Sequence, residues 1–382
     1  MVTPTKQEIS QAQQAIEAHL EVVRSRPDQR PRSHPYYRFH PPGKPVQGTV
    51  IMFHGFSMSP HQLWRLADYL FNNGFNFYQV PLAGHDQLNP HKNWPQIDLR
   101  PEYVKALLQK VQQDPVLQAA VMHKAAVGSV AVGQQEALLD RLFQVAPEMQ
   151  DFAAAIAQPK RPDFDQYFIS SHEAFLQDAQ QRLNELSALP SPIYAVGLSV
   201  GGAVALGLAE KNASRIKRVV AYAPLLKIYG AQRRQYVQLT GPLDINETGW
   251  DPNLQFPVGA LTAADYFGSE VRLADNLARL KGTPVFMVLT ENEDATDIAT
   301  NEQAFADMGG QAAGNWLYKY PAAAMVPHAM IDPTEVSQGM SNLFWQSLYQ
   351  ETLRFLTKGE VNIANLKTLA QDDSFSLVPS VG

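Results

Sequence analysis

The feature that most restricts how this chain can fold is the turn Gly197-Leu198-Ser199-Val200-Gly201-Gly202. It lies between an apolar β-type run, 193–196, and a run of small helix formers, 203–210. Passing from strand to helix in so few residues forces a strained backbone at the serine. A side chain at 197 or 201 would strike neighbouring backbone, and glycine removes the collision. Such a turn lifts the hydroxyl above the carboxyl edge of a sheet and aims it at the start of a helix, whose free N–H groups favour a developing negative charge. The pattern implies a nucleophilic serine. The plainer alternative is a glycine-rich turn for close helix–sheet packing, with Ser199 as a helix cap.

Strand and helix signals alternate on both sides of this turn. Residues 48–53, 75–81, 193–196, 218–222, 285–290 and 316–320 read as short strands. Residues 62–73 have helical spacing ended by Asn72-Asn73-Gly74, and 335–356 read as a long closing helix. This rhythm predicts an α/β fold, a mostly parallel sheet with helices on both faces. Ahead of it, Ile9, Ala12, Ala15, Ile16, Leu20 and Val23 mark an amphipathic helix, followed by a Pro-rich stretch, 27–45, read as an extended connector.

Two stretches break the rhythm. Residues 87–161 are helix-rich, over 101–113, 134–145 and 148–158, and 227–282 carry Tyr229, Tyr236, Trp250, Phe256 and Tyr266 among polar residues. Each is either a lid or surface elaboration. The expected organisation is an N-terminal helix and connector over 1–45 and a core over 46–86 and 164–358, with 227–282 as a candidate cap segment. A helical insertion and candidate lid occupies 87–163, and a tail over 359–382 lacks periodicity and is expected to be poorly ordered.

Composition narrows the function. With 45% apolar and 18% charged residues over 382 positions, the chain is globular and core-forming. Its 37 acidic and 31 basic residues give a net charge of −6, which argues against a nucleic-acid partner. The absence of cysteine excludes disulfides, thiolate–zinc sites, iron–sulfur clusters and a Cys nucleophile. No His-Glu-x-x-His string and no phosphate-loop motif occurs, and neither a metal nor a cofactor is expected. No run of 18 apolar residues and no apolar leader is present, so no integral membrane segment is expected and the cytoplasm is the default location.

A serine needs a base, and the base an orienting acid. For a nucleophile on a strand–turn–helix elbow of the G-x-S-x-G type, the partners follow in the chain order Ser, acid, His. Only His328 follows Ser199, just past the strand 316–320; the other nine histidines precede it. The acid should lie just past 285–290, where Glu293, Asp294 and Asp297 compete. Asp294 best fits a short turn returning beneath the histidine and is preferred; the others would be solvated loop charge or helix caps. The turn His54-Gly55-Phe56 after the first strand would offer the Phe56 N–H to a substrate oxygen, with the Val200 N–H as the second donor. His54 itself reads better as a buried structural residue than as a participant.

Taken together, His54-Gly-Phe-Ser-Met-Ser-Pro60, Pro81-Leu-Ala-Gly-His85, Gly197–Gly202 and Val326-Pro-His-Ala-Met330 resemble the carboxylesterase and monoacylglycerol-lipase branch of the α/β-hydrolases, also grouped with serine aminopeptidase-like hydrolases. The resemblance covers 46–86, 164–226 and 283–357. It implies the α/β-hydrolase fold and a cofactor-free Ser–Asp–His triad acting on a small-molecule ester or acyl substrate. Thioesterase, amidase and acyltransferase activities use the same triad, and a non-catalytic binding protein on the same scaffold is the alternative from another class. Two departures stand out: Gly84-His85-Asp86 where the family usually has Gly-His-Gly, and the whole of 87–163 where it usually has few residues.

Overall fold

The computed structural model describes residues 1–120, 132–243, 246–248 and 254–371. The main sheet has seven strands: β1 Tyr36–Arg38, β2 Gly48–Phe53, β3 Phe75–Val80, β4 Ile193–Leu198, β5 Ile216–Tyr222, β6 Val285–Thr290 and β7 Trp316–Tyr320. Their spatial order is β1-β3-β2-β4-β5-β6-β7, parallel throughout except for β1, which runs antiparallel along β3. The longer helices are α1 Lys6–Ser25, α2 Trp64–Asn72, α3 Pro101–Gln113, α4 Val132–Val145, α5 Met149–Ala157, α6 Ala174–Glu185, α7 Val200–Lys211, α8 Ala231–Thr240, α9 Val258–Val271, α10 Ile298–Asp307 and α11 Trp345–Lys358.

Both faces of the sheet are covered, and β2, β3, β4 and β6 are accordingly buried at every position, not at alternate ones. In β2, Val50 and Met52 pack beneath α2 and α11, while Ile51 and Phe53 pack beneath α1, α6 and α7. Each fully buried side chain of this size contributes roughly 1.5–3 kcal/mol through removal from water. The register aligns the functional loops. Phe53 pairs with Gly197, Leu198 with Tyr222, and Thr290 with Tyr320, so the turns that follow β2, β4, β6 and β7 emerge at one carboxyl edge. Two short antiparallel ribbons lie outside the sheet, Ile97–Leu99 with Phe168–Ser170 and Asn246–Thr248 with Gln255–Pro257. No helix among the described residues is long and apolar enough to cross a membrane.

Three local expectations need correcting. The Pro-rich connector contains the edge strand β1, a position where flanking prolines cost the sheet no hydrogen bonds. The closing helix starts at Trp345, not Glu335, because Gln338 and Gly339 both hold positive φ in a tight turn closed by paired hydrogen bonds between Ser337 and Met340. The tail is packed as far as it is described: Leu366 is fully buried, and the Asn362 N–H donates to Glu351 at 2.6 Å. Residues 372–382 lie outside the described residues, as does part of the 87–163 insertion.

Candidate active site

Ser199 sits between β4 and α7 with φ +58° and ψ −121°, a backbone conformation that costs an L-residue energy and persists only where its surroundings enforce it. The enforcement is visible. Its N–H donates to the Tyr222 carbonyl at 2.9 Å, and its carbonyl accepts from Leu225 at 2.9 Å. A Cβ on Gly197 would strike the Gly201 carbonyl, and one on Gly201 would strike those of Phe53 and His54. The Val200 N–H opens α7, in the first turn, where a helix supplies no acceptor of its own.

His328 follows β7 on a loop stitched to the loop after β6. The Thr290 hydroxyl donates to the Val326 carbonyl at 2.6 Å, and Asn292 Nδ2 to the Ala322 carbonyl at 3.0 Å. His328 Nδ1 lies 2.7 Å from Glu293 Oε1. Glu293 is buried, and its Oε1 also accepts the N–H groups of Ala295 and Thr296 at 2.9 and 3.0 Å. Burial pushes the Glu293 carboxyl upward, but His328 and the two N–H groups outweigh it and hold it below the usual value. For His328, burial works against the imidazolium, while the Glu293 charge more than compensates and raises it above the ordinary histidine value.

The carboxylate beside the histidine is therefore Glu293, and the preference for Asp294 does not fit the geometry. Asp294 lies half-buried on the cavity wall, its carboxylate accepting from Gln338 at 2.6 Å. Asp297 caps α10 through the Thr300 N–H at 2.9 Å and pairs with Lys227. One residue decides this. Glu293 is the first side chain to turn inward after Asn292 bridges to Pro327, and the longer Glu reaches the ring. Ser199 and His328 line one cavity of about 300 Å³ together with Phe56, Met58, Leu225 and Phe256.

A family model described as the alpha/beta hydrolase fold matches residues 48–274. The chain belongs to the α/β-hydrolase fold family. No curated protein matches its sequence. Among solved structures, one from work on the metagenome-derived lipolytic enzymes LipS and LipT is 13% identical with a TM-score of 0.52, covering 86% of this chain and 98% of that one. A monoacylglycerol lipase from Paleococcus ferrophilus is 14% identical with a TM-score of 0.50, covering 85% and 98%. At such identities the likeness is one of fold.

In this α/β-hydrolase the turn after β2 is braced from several directions. His54 is buried; its Nε2 accepts the Leu82 N–H at 3.1 Å and its Nδ1 faces the Gly55 carbonyl at 2.7 Å, which fixes a neutral tautomer. Burial lowers its pKa to about 3, in keeping with a structural role. Arg30 donates to the carbonyls of Ser57 and Met58, both at 2.7 Å. Asp86, the departure from Gly-His-Gly, pairs with Arg26 and gives its carbonyl to the Arg30 N–H. The segment after α1 thus ties the Gly-His loop to the turn. His85 stacks on Trp94 at 3.6 Å, and Phe56 meets Trp94 and Phe256 edge to face. Sequence reading missed Arg30, Gln62 and Glu335. None carries a motif, and apart from Gly55, seven residues before Gln62, the partners named lie tens to hundreds of residues away. Among the described residues no three His, Asp or Glu side chains are grouped to hold a metal ion.

Proposed function

We propose that this α/β-hydrolase is a serine esterase acting through an acyl-enzyme on Ser199. The observation that carries the reading is the shared cavity: the elbow serine and the histidine backed by Glu293 open onto the same space. In the proposed cycle His328 takes the Ser199 proton as Oγ attacks the ester carbonyl carbon. The resulting oxyanion is held by the N–H groups of Phe56 and Val200, each such donor being worth about 3 kcal/mol of barrier. The tetrahedral species collapses, the C–O bond to the alcohol breaks, and His328 returns the proton to the departing oxygen. Water, deprotonated by the same histidine, then attacks the acyl carbon, releases the carboxylic acid and restores Ser199. Glu293 holds the imidazole in register and stabilises its charged form.

The lining supports an apolar acyl or aromatic group of modest size. The volume lies at the low end of the range of about 300–1,000 Å³ typical of ligand sites, and Phe56, Met58, Leu198, Leu225, Ile228 and Phe256 form most of the wall. The test is turnover of p-nitrophenyl esters from acetate to palmitate by wild type and Ser199→Ala. The expected result is a maximum among short and medium chains that vanishes in the variant. Undiminished turnover in Ser199→Ala would refute the nucleophile, and a maximum at palmitate would refute the size argument.

A further inference from the structure

We infer that Gln62 is a positioning residue for the oxyanion turn and that Glu335 fixes the orientation of its amide; this rests on the esterase reading above. Gln62 lies in the short 3-10 turn Pro60–Leu63 that leads into α2, is buried, and lines the cavity. Its Oε1 accepts the Gly55 N–H at 2.7 Å, and its Nε2 donates to Glu335 Oε2 at 3.0 Å. Only one orientation of the amide satisfies both partners. A flipped amide would set Nε2 against the Gly55 N–H, donor to donor, and would lose the bond that Nε2 donates to Glu335. The His54–Gly55 peptide is thereby pinned from the cavity wall, and the Phe56 N–H becomes the next donor along the turn.

A second bridge runs alongside the first. Arg65, one turn further along, meets Asp332 with Nε 3.2 Å from Oδ1, both side chains buried. Asp332 and Glu335 belong to the segment that follows His328, and Asp332 is itself held by the Thr334 N–H at 2.9 Å. The base-bearing loop and the oxyanion turn, far apart in sequence, are thus clamped to each other through α2 and the turn before it. Burial, with the Asp332 charge adding to it, lifts Glu335 to about 8 against the Gln62 hydrogen bond and the His328 charge.

The experiment measures kcat and KM of the full-length protein on p-nitrophenyl butyrate, with thermal melts as the folding control. Gln62→Leu keeps the shape and removes both hydrogen bonds. It is expected to lower kcat about 10- to 100-fold while KM moves less than about threefold, because the lost alignment matters only in the transition state. Glu335→Leu is expected to lower kcat about tenfold, and Glu335→Gln, whose amide oxygen can accept the same bond, to lose distinctly less. Wild-type kcat in Gln62→Leu, or equal losses in Glu335→Gln and Glu335→Leu, would overturn the inference. If Gln62→Leu does not fold, the two Glu335 variants decide it. A wild-type protein that neither turns over esters nor is labelled at Ser199 would instead overturn the esterase reading itself.

Discussion

The two walls of the cavity are built by different means. The wall carrying Ser199, Phe56 and His328 consists of tight turns at the ends of parallel strands, where backbone sterics leave one arrangement. The facing wall carries Ile228, Arg233, Phe256 and Leu261 on the segment between β5 and β6. That segment is held by one buried carboxylate: Asp265 accepts from the Ile228 N–H at 2.9 Å, Arg234 Nε at 2.8 Å and Gln238 Nε2 at 3.1 Å. On the proposed reading, chemistry resides where strand register fixes the chain, and selectivity where side chains on an insertion can vary without disturbing it.

If this contrast is right, variants on the two walls fail differently. The largest effect is expected for His328→Ala, at least about a thousandfold in kcat with an unchanged melting temperature. Glu293→Gln should cost about 100- to 1,000-fold and also move the pH profile. The base acts when neutral, so kcat/KM falls as pH drops through the pKa of His328, which Glu293 holds above the ordinary value. Without that charge, burial alone pulls the pKa down, and the acid limb of the profile should shift to lower pH. An unshifted limb would show that Glu293 is not the partner.

On the facing wall, Asp265→Ala strands three donors, the Arg234 guanidinium among them, and should destabilise the fold by about 3–5 kcal/mol in denaturant melts. Phe256→Ala should leave the acetate kcat nearly intact and shift the ratio of octanoate to acetate kcat/KM by about tenfold. Smallest of all, Asp294→Asn should change kcat less than about threefold, because its carboxylate accepts from Gln338 while Glu293 holds the His328 ring. A large loss there would return the acid role to the residue that sequence reading preferred.

The legibility of the sequence divides along the same line. The strand–turn–helix at Ser199 and the placing of His328 on the same cavity could be read because each is tied to a residue type at a fixed point of the chain order. The acid could not be resolved among Glu293, Asp294 and Asp297, because a one-residue change in where a loop turns inward exchanges buried and solvated carboxylates. The Arg30, Gln62 and Glu335 braces were illegible because they join ordinary polar residues through tertiary contact alone. The short edge strand β1 and the Gln338-Gly339 turn escaped for a related reason: three residues carry too little periodicity to outweigh flanking prolines, and a turn inside an apparently helical stretch is fixed by local φ, not by hydrophobic spacing.

The most direct test is labelling with a fluorophosphonate probe followed by peptide mapping of the full-length protein. The account predicts stoichiometric modification of the peptide containing Ser199, its loss in Ser199→Ala and strong slowing in His328→Ala. Modification of a different residue, or equal labelling in Ser199→Ala, would contradict it.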